Sequence, residues 1–143
     1  MNEQRSRIMR AVRSKDTAPE MLVRRLLHSM GYRYRLHAPD VPGRPDIVNK
    51  RRRIAIFVHG CFWHGHECRR GARLPKENAM YWSDKIARNR RRDASVIDAL
   101  FQRKWLTLVI WECEIRCADL ETRLRTFLAR AAHEEQIDDG EPE

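Results

Sequence analysis

The twelve residues FVHGCFWHGHEC, positions 57–68, gather three histidines, two cysteines, Phe62 and Trp63 in one short stretch. Thiolates and imidazoles are the ligands of zinc, which takes four of them in a tetrahedron. Cys61, His66 and Cys68 form a C-x4-H-x-C group. Cys113, at the end of WLTLVIWEC, could supply a fourth ligand from afar and pin this stretch to a strand end. Cys117, four residues on, competes for that place. The chain has no downstream C-x-x-C or H-x-x-x-H partner of a regular zinc finger, and without a metal these residues would be buried cysteines and loop histidines. A structural zinc held in this way leaves histidines over, and they invite a second chemistry. Phosphodiester hydrolysis uses a hard cation held by carboxylate and carbonyl oxygens, with a base to activate water. Asp46, closing the motif GRPD, could hold Mg²⁺. His59 or His64 could act as base or polarise a phosphate, since histidine titrates near neutral pH. Glu20 could hold a cation-bound water. The alternatives are Asp46 as a turn residue, Glu20 as a helix cap and both histidines as exposed loop residues. Phe62 and Trp63 either pack beneath the loop as a small core or stack as a wedge among nucleic-acid bases.

These side chains need elements to position them. Residues 3–13 read as a short basic helix or arm. Thr17 and Glu20 form a T-x-x-E capping box, Met21, Leu22, Leu26, Leu27 and Met30 form an apolar stripe, and Gly31 ends the helix. YRYRLH, 32–37, alternates as a strand does, and APDVPGRP is a proline-rich loop. DIVNKRRRIAIFV reads as a hairpin with strands over 46–49 and 53–58. Residues 59–78 lack periodicity, and a loop of that length needs a function or a metal to order it. A basic helix over 79–103, a buried strand over 105–112 and a helix over 118–132 follow. Helix, three strands, helix, strand, helix implies an α/β fold with a single mixed sheet flanked by helices.

The 143-residue length fits one domain, expected over 1–133, with 1–16 as an arm and 134–143 as an acidic, disordered tail. The net charge is +9, although the last ten residues carry six acidic side chains and no basic one. The body before them is therefore more basic still and suits a polyanion, most simply nucleic acid. No apolar run approaches bilayer length, and the N-terminus lacks the apolar core of a secretory signal, so the cytosol is expected. Cysteines there seldom form disulfides.

The segments SRIMRAVRSKDTAPE, PGRPDIV, IFVHGCFWHGHEC, YWSDKIARNRRRD and WLTLVIWECEIR, in that order from about residue 5 to residue 116, resemble the very short patch repair (Vsr) endonucleases. The resemblance implies a Vsr variant of the PD-(D/E)xK nuclease fold that nicks double-stranded DNA beside the thymine of a T:G mismatch left by 5-methylcytosine deamination. By position it makes Asp46 the central Mg²⁺ ligand, of two ions, with the Val58 main-chain carbonyl as a second ligand. His64 becomes the general base, oriented by Asp93, and His59 and Glu20 assist through cation-bound waters and the scissile phosphate. Cys61, His66, Cys68 and Cys113 would hold structural Zn²⁺. Phe62, Trp63 and Met9 would enter the DNA stack, while Arg10, Arg13, Lys85, Arg88 and Arg90 supply phosphate contacts. The family often has Thr where this chain has Val58, which preserves a carbonyl ligand but not a hydroxyl. HGHEC stands where a relative has a longer histidine run, and His59 takes the place of the lysine of E-x-K. The expected protein is thus a monomeric, Mg²⁺-dependent nicking endonuclease. A restriction-type nuclease of the same fold and a zinc-stabilised DNA-binding module without chemistry are the alternatives.

Overall fold

The computed structural model describes residues 17–68, 75–115 and 118–139, with side chains through residue 132. Met9, Arg10, Arg13 and Cys117 therefore lie outside the described residues, as does the remainder of the expected arm. The elements are α1 (Ala18–Ser29), β1 (Arg35–Leu36), β2 (Ile47–Asn49), β3 (Ile54–His59), α2 (Ala79–Gln102), β4 (Leu106–Trp111), a 3₁₀ turn (Glu112–Glu114) and α3 (Leu120–Asp139). Their kinds and order match the periodicity. The four strands form one sheet in the order β1-β2-β3-β4. The first three are antiparallel, and β4 joins β3 in parallel after the α2 crossover.

Each strand sends alternate residues to opposite faces, and both faces are covered. Ile54 and Ile56 of β3 pack with Val23 and Leu27 of α1 and with Leu124 and Phe127 of α3. Ala55 and Phe57, on the other face, pack with Leu100 and Val96 of α2. Each fully buried Ile or Leu contributes roughly 1.5–3 kcal/mol. His59 is two residues beyond Phe57 on the same strand and is buried as well.

Four sequence expectations change. The strand over 32–37 contracts to Arg35–Leu36. The alternation is real, with Tyr32, Tyr34 and Leu36 packed against the core, but only two residues find ladder partners at this sheet edge. In α1 the buried line runs through Glu20, Val23 and Leu27, whereas Leu22 is exposed. Only half of the capping box forms: Thr17 Oγ1 accepts the Glu20 N–H at 3.5 Å, while the Glu20 carboxylate turns inward. Finally, α3 runs past residue 132 to Asp139.

Gly43, in the loop before β2, has φ +78°, and a Cβ there would lie 2.3 Å from Val96 Cγ1 of α2. Gly43→Ala should therefore lower unfolding stability by roughly 1–3 kcal/mol, from the left-handed backbone and the displaced Val96. Denaturant titration measures the loss, and an unchanged midpoint would contradict it.

Candidate active site

Three clusters of ligand-bearing side chains meet at the ends of these elements. The first joins Glu20 of α1, His37 beyond β1 and Asp46 before β2, each offering one ligand atom within 4.8 Å of the others. Asp46 reaches across the hairpin, where its Oδ2 accepts the Val58 N–H at 2.7 Å. Burial and the facing Glu20 push the Asp46 carboxyl up to about 6, against the Val58 hydrogen bond and the nearby His37, which lower it. A buried carboxylate, Glu20, facing a half-buried one, Asp46, forms a donor set that a divalent cation would stabilise by supplying positive charge. The residues therefore fit a hard cation.

The second cluster is His59, His64 and Asp93. The two imidazoles stack with centroids 3.8 Å apart and planes 4° from parallel. Asp93, on α2, accepts from His64 Nδ1 at 2.5 Å, which fixes the ring and leaves Nε2 as its remaining basic nitrogen. Burial, together with the neighbouring His64, holds His59 down at about 4, so this ring is neutral at pH 7. Its Nδ1 is buried and makes no hydrogen bond among the described residues.

Cys61, His66, Cys68 and Cys113 make the third cluster, their ligand atoms also within 4.8 Å of one another. Tetrahedral zinc with thiolate bonds separates its ligands by about 3.8 Å, and Cys113 Sγ lies 3.5 Å from His66 Nδ1. None of the three cysteines forms a disulfide among the described residues. Burial, with Cys68 and Cys113 close by, pushes the Cys61 thiol up to about 12. The donor set fits zinc. The loop arrives there by tight turning: His64 N–H donates to the Gly60 carbonyl and His66 N–H to that of Cys61. Gly65, at φ +63°, lets this turn close onto Ile86 and Arg90 of α2. His66 stacks on Trp111, the residue that pairs with His59 across β3 and β4.

Between the second and third clusters lie the aromatics. Trp63 is buried and Phe62 half-buried, and both pack against Trp82 of α2 at centroid distances of 5.8 and 5.7 Å. Lys85 Nζ sits over the rings of Trp63, Tyr81 and Trp82 at 5.4, 5.8 and 5.7 Å. The pair is thus part of a small core, with Phe62 its more accessible half. Arg88 and Arg90 are exposed on the same helix.

Two residues of the site escaped the sequence reading. Asn89, buried on α2, donates from Nδ2 to the Trp63 carbonyl at 2.8 Å. Its signal was there: Lys85, Asn89 and Asp93 recur every four residues along one helix face. His37, the end of the alternating YRYRLH, was read only as strand. Glu20, Asp46, Val58, His59, His64 and Asp93 all line a single cleft of about 1380 Å³.

The family model described as DNA mismatch endonuclease Vsr matches residues 1–70. A type II nicking enzyme of Xanthomonas oryzae pv. oryzae, V.XorIIP, is 54% identical over 127 residues, covering 88% of this chain and 93% of the relative. The type II nicking enzyme V.NmeAIP of Neisseria meningitidis is 41% identical over 112 residues, covering 78% and 79%. The DNA mismatch endonuclease Vsr of Escherichia coli is 36% identical over 140 residues, covering 94% of this chain and 89% of its own. These relatives are DNA-cutting enzymes, and no helix among the described residues is long and apolar enough to cross a membrane. Matches at this identity over nearly the whole length mean that the chain belongs to the Vsr family of DNA mismatch endonucleases.

Proposed function

We propose that this DNA endonuclease is Mg²⁺-dependent and nicks the strand carrying the thymine of a T:G mismatch, beginning very short patch repair of deaminated 5-methylcytosine. The observation that carries the reading is the shared cleft, which unites a carboxylate pair with a histidine oriented by a carboxylate. Asp46 and the Val58 carbonyl would hold the cation, with Glu20 beside them. When bound, Mg²⁺ would supply Lewis-acid stabilisation of the charge that develops on the phosphate. His64 Nε2 takes the proton of the attacking water while Asp93 holds Nδ1. His59, neutral and stacked on His64, presents an uncharged imidazole to the scissile phosphate. In-line attack leaves a 5′-phosphate and a 3′-hydroxyl.

Selectivity has its own physical basis. A T:G wobble pair is weaker than a matched pair, and opening a base step costs a few kcal/mol, less where pairing is already poor. Phe62, the more accessible aromatic, would enter first, with Trp63 behind it on the Trp82 and Lys85 platform. Met9 of the N-terminal segment would enter the stack with them, while Lys85, Arg88 and Arg90, with Arg10 and Arg13, would hold the duplex through its phosphates. Cys61, His66, Cys68 and Cys113 would keep Zn²⁺ as a structural ion, and the protein would act as a monomer.

The test uses two end-labelled duplexes, one with a single T:G pair and one with C:G in its place, incubated with the protein and Mg²⁺. A nick confined to the thymine strand of the mismatched duplex is expected. Equal cleavage of both duplexes would instead favour a restriction-type nuclease, and cleavage of neither would favour a DNA-binding module without chemistry.

A further inference from the structure

His37 lies in the left-handed region at φ +47°, uncommon for any residue but Gly, although Asn, Asp and His enter it more readily than the rest. Such strain persists only where the surroundings over-determine it. Here they do so from two sides. The His37 backbone N–H donates to the Asp46 carbonyl at 3.2 Å. The ring Nε2 lies 3.0 and 3.1 Å from the two Glu20 carboxylate oxygens. One residue thus binds both members of the carboxylate pair, which come from different elements, α1 and the start of β2. The Glu20 side chain is only 3% exposed and that of His37 15%, so solvent contributes little to fixing either. Arg24 reaches Glu20 Oε2 at 3.3 Å, but from the next turn of the same helix. The His37 contact spans from Glu20 to the connection between β1 and β2, beside the direct approach of Glu20 to Asp46.

We propose that His37 is a positioning residue, holding the Glu20 carboxylate against Asp46 so that the pair is preformed for its cation. An N–H donor at the Nε2 position is all this requires, and a neutral imidazole provides it. The inference rests on the reading of Asp46 as the cation's carboxylate with Glu20 assisting beside it, and the experiment separates the two.

Three variants share the backbone position: His37→Leu, His37→Gln and His37→Asn. Glutamine places an amide donor close to where Nε2 stood. Leucine has no donor. Asparagine suits the left-handed backbone but is too short to reach Glu20, so it removes the contact without added strain. Mn²⁺ binding to the DNA-free protein, followed by loss of the free-ion paramagnetic resonance signal, is the first readout. The Mg²⁺ concentration giving half-maximal nicking is the second. Leu and Asn should weaken Mn²⁺ binding about tenfold, as expected for one lost hydrogen bond to a carboxylate. They should raise the Mg²⁺ midpoint by a similar factor at unchanged DNA affinity, whereas Gln should stay within about twofold of the parent on both measures. Wild-type Mn²⁺ affinity in the Asn variant, or a Gln variant as weak as Asn, would overturn the proposal. Glu20→Gln is measured alongside. If it leaves Mn²⁺ affinity intact, the reading of Glu20 itself fails. If it weakens binding while His37→Asn does not, only the role of His37 fails.

Discussion

Asp46→Ala should lower the single-turnover nicking rate by about a thousandfold or more, which corresponds to roughly 4 kcal/mol of lost transition-state stabilisation. The cause is local. Asp46 is the carboxylate that the hairpin register aims at the Val58 amide, and Glu20 and His37 face it. Alanine also strands the Val58 N–H, so Asp46→Asn is the companion variant, keeping an oxygen to accept that bond while removing the charge. Both variants should lose nicking and retain mismatch binding in a gel-shift assay. The Asn protein should melt close to the parent, because a carboxyl pushed up to about 6 has an ionised form that the fold disfavours. That displacement also fixes a sign for the parent without cations. A pKa raised above its unfolded value contributes stability that is full below about pH 4 and is lost as pH rises through about 6. Parental nicking in either variant would remove Asp46 from the centre.

Cys113→Ala should release bound zinc and lower unfolding stability by roughly 3 kcal/mol or more, a fall in melting temperature of about 10 °C. Cys113 supplies the remote corner of the four-donor cluster, immediately beyond β4. The other three donors belong to the loop whose turns also carry Phe62, Trp63 and His64. Losing this corner should therefore reduce nicking as well as stability. Cys117→Ala should keep both its zinc and its melting temperature. Metal content after dialysis, read by atomic emission, decides between the two cysteines, and the opposite pattern would make Cys117 the fourth ligand.

The elements were legible because hydrophobic period carries them. Ile54, Ile56 and their outward neighbours announce a strand buried on both faces, and Trp82, Ile86 and Leu100 mark the inner side of a long helix. The grouping of Cys61, His66 and Cys68 with a cysteine beyond the last strand was legible from residue type and spacing. Two things were not. A T-x-x-E signal states that Glu20 can cap a helix, yet the same side chain also lies on the buried line with Val23 and Leu27. That inward position decides its role, and a local motif cannot express it. His37 was hidden for a related reason. Its partners are 17 residues away through the side chain and nine through the backbone, and only the β1 and β2 register brings them together. Trp63 shows the limit from the other direction, since aromatics beside ligands suggest a wedge whether or not they also pack as core.

The pairing of β3 with β4 bears on the order of events as the chain is made. Ile54 aligns with Leu106 and His59 with Trp111, so this ladder closes only after the whole α2 crossover has emerged. Contacts so distant in sequence form slowly, because the intervening chain must be ordered before they stabilise anything. Glu20, Asp46, His59, His64 and Asp93 all precede β4. A nascent chain therefore carries every proposed cutting group before it has the strand that seats His59 or the cysteine that closes the loop. Competence to break DNA would thus be acquired in one late step of assembly rather than residue by residue, leaving an unfinished chain inert beside the genome.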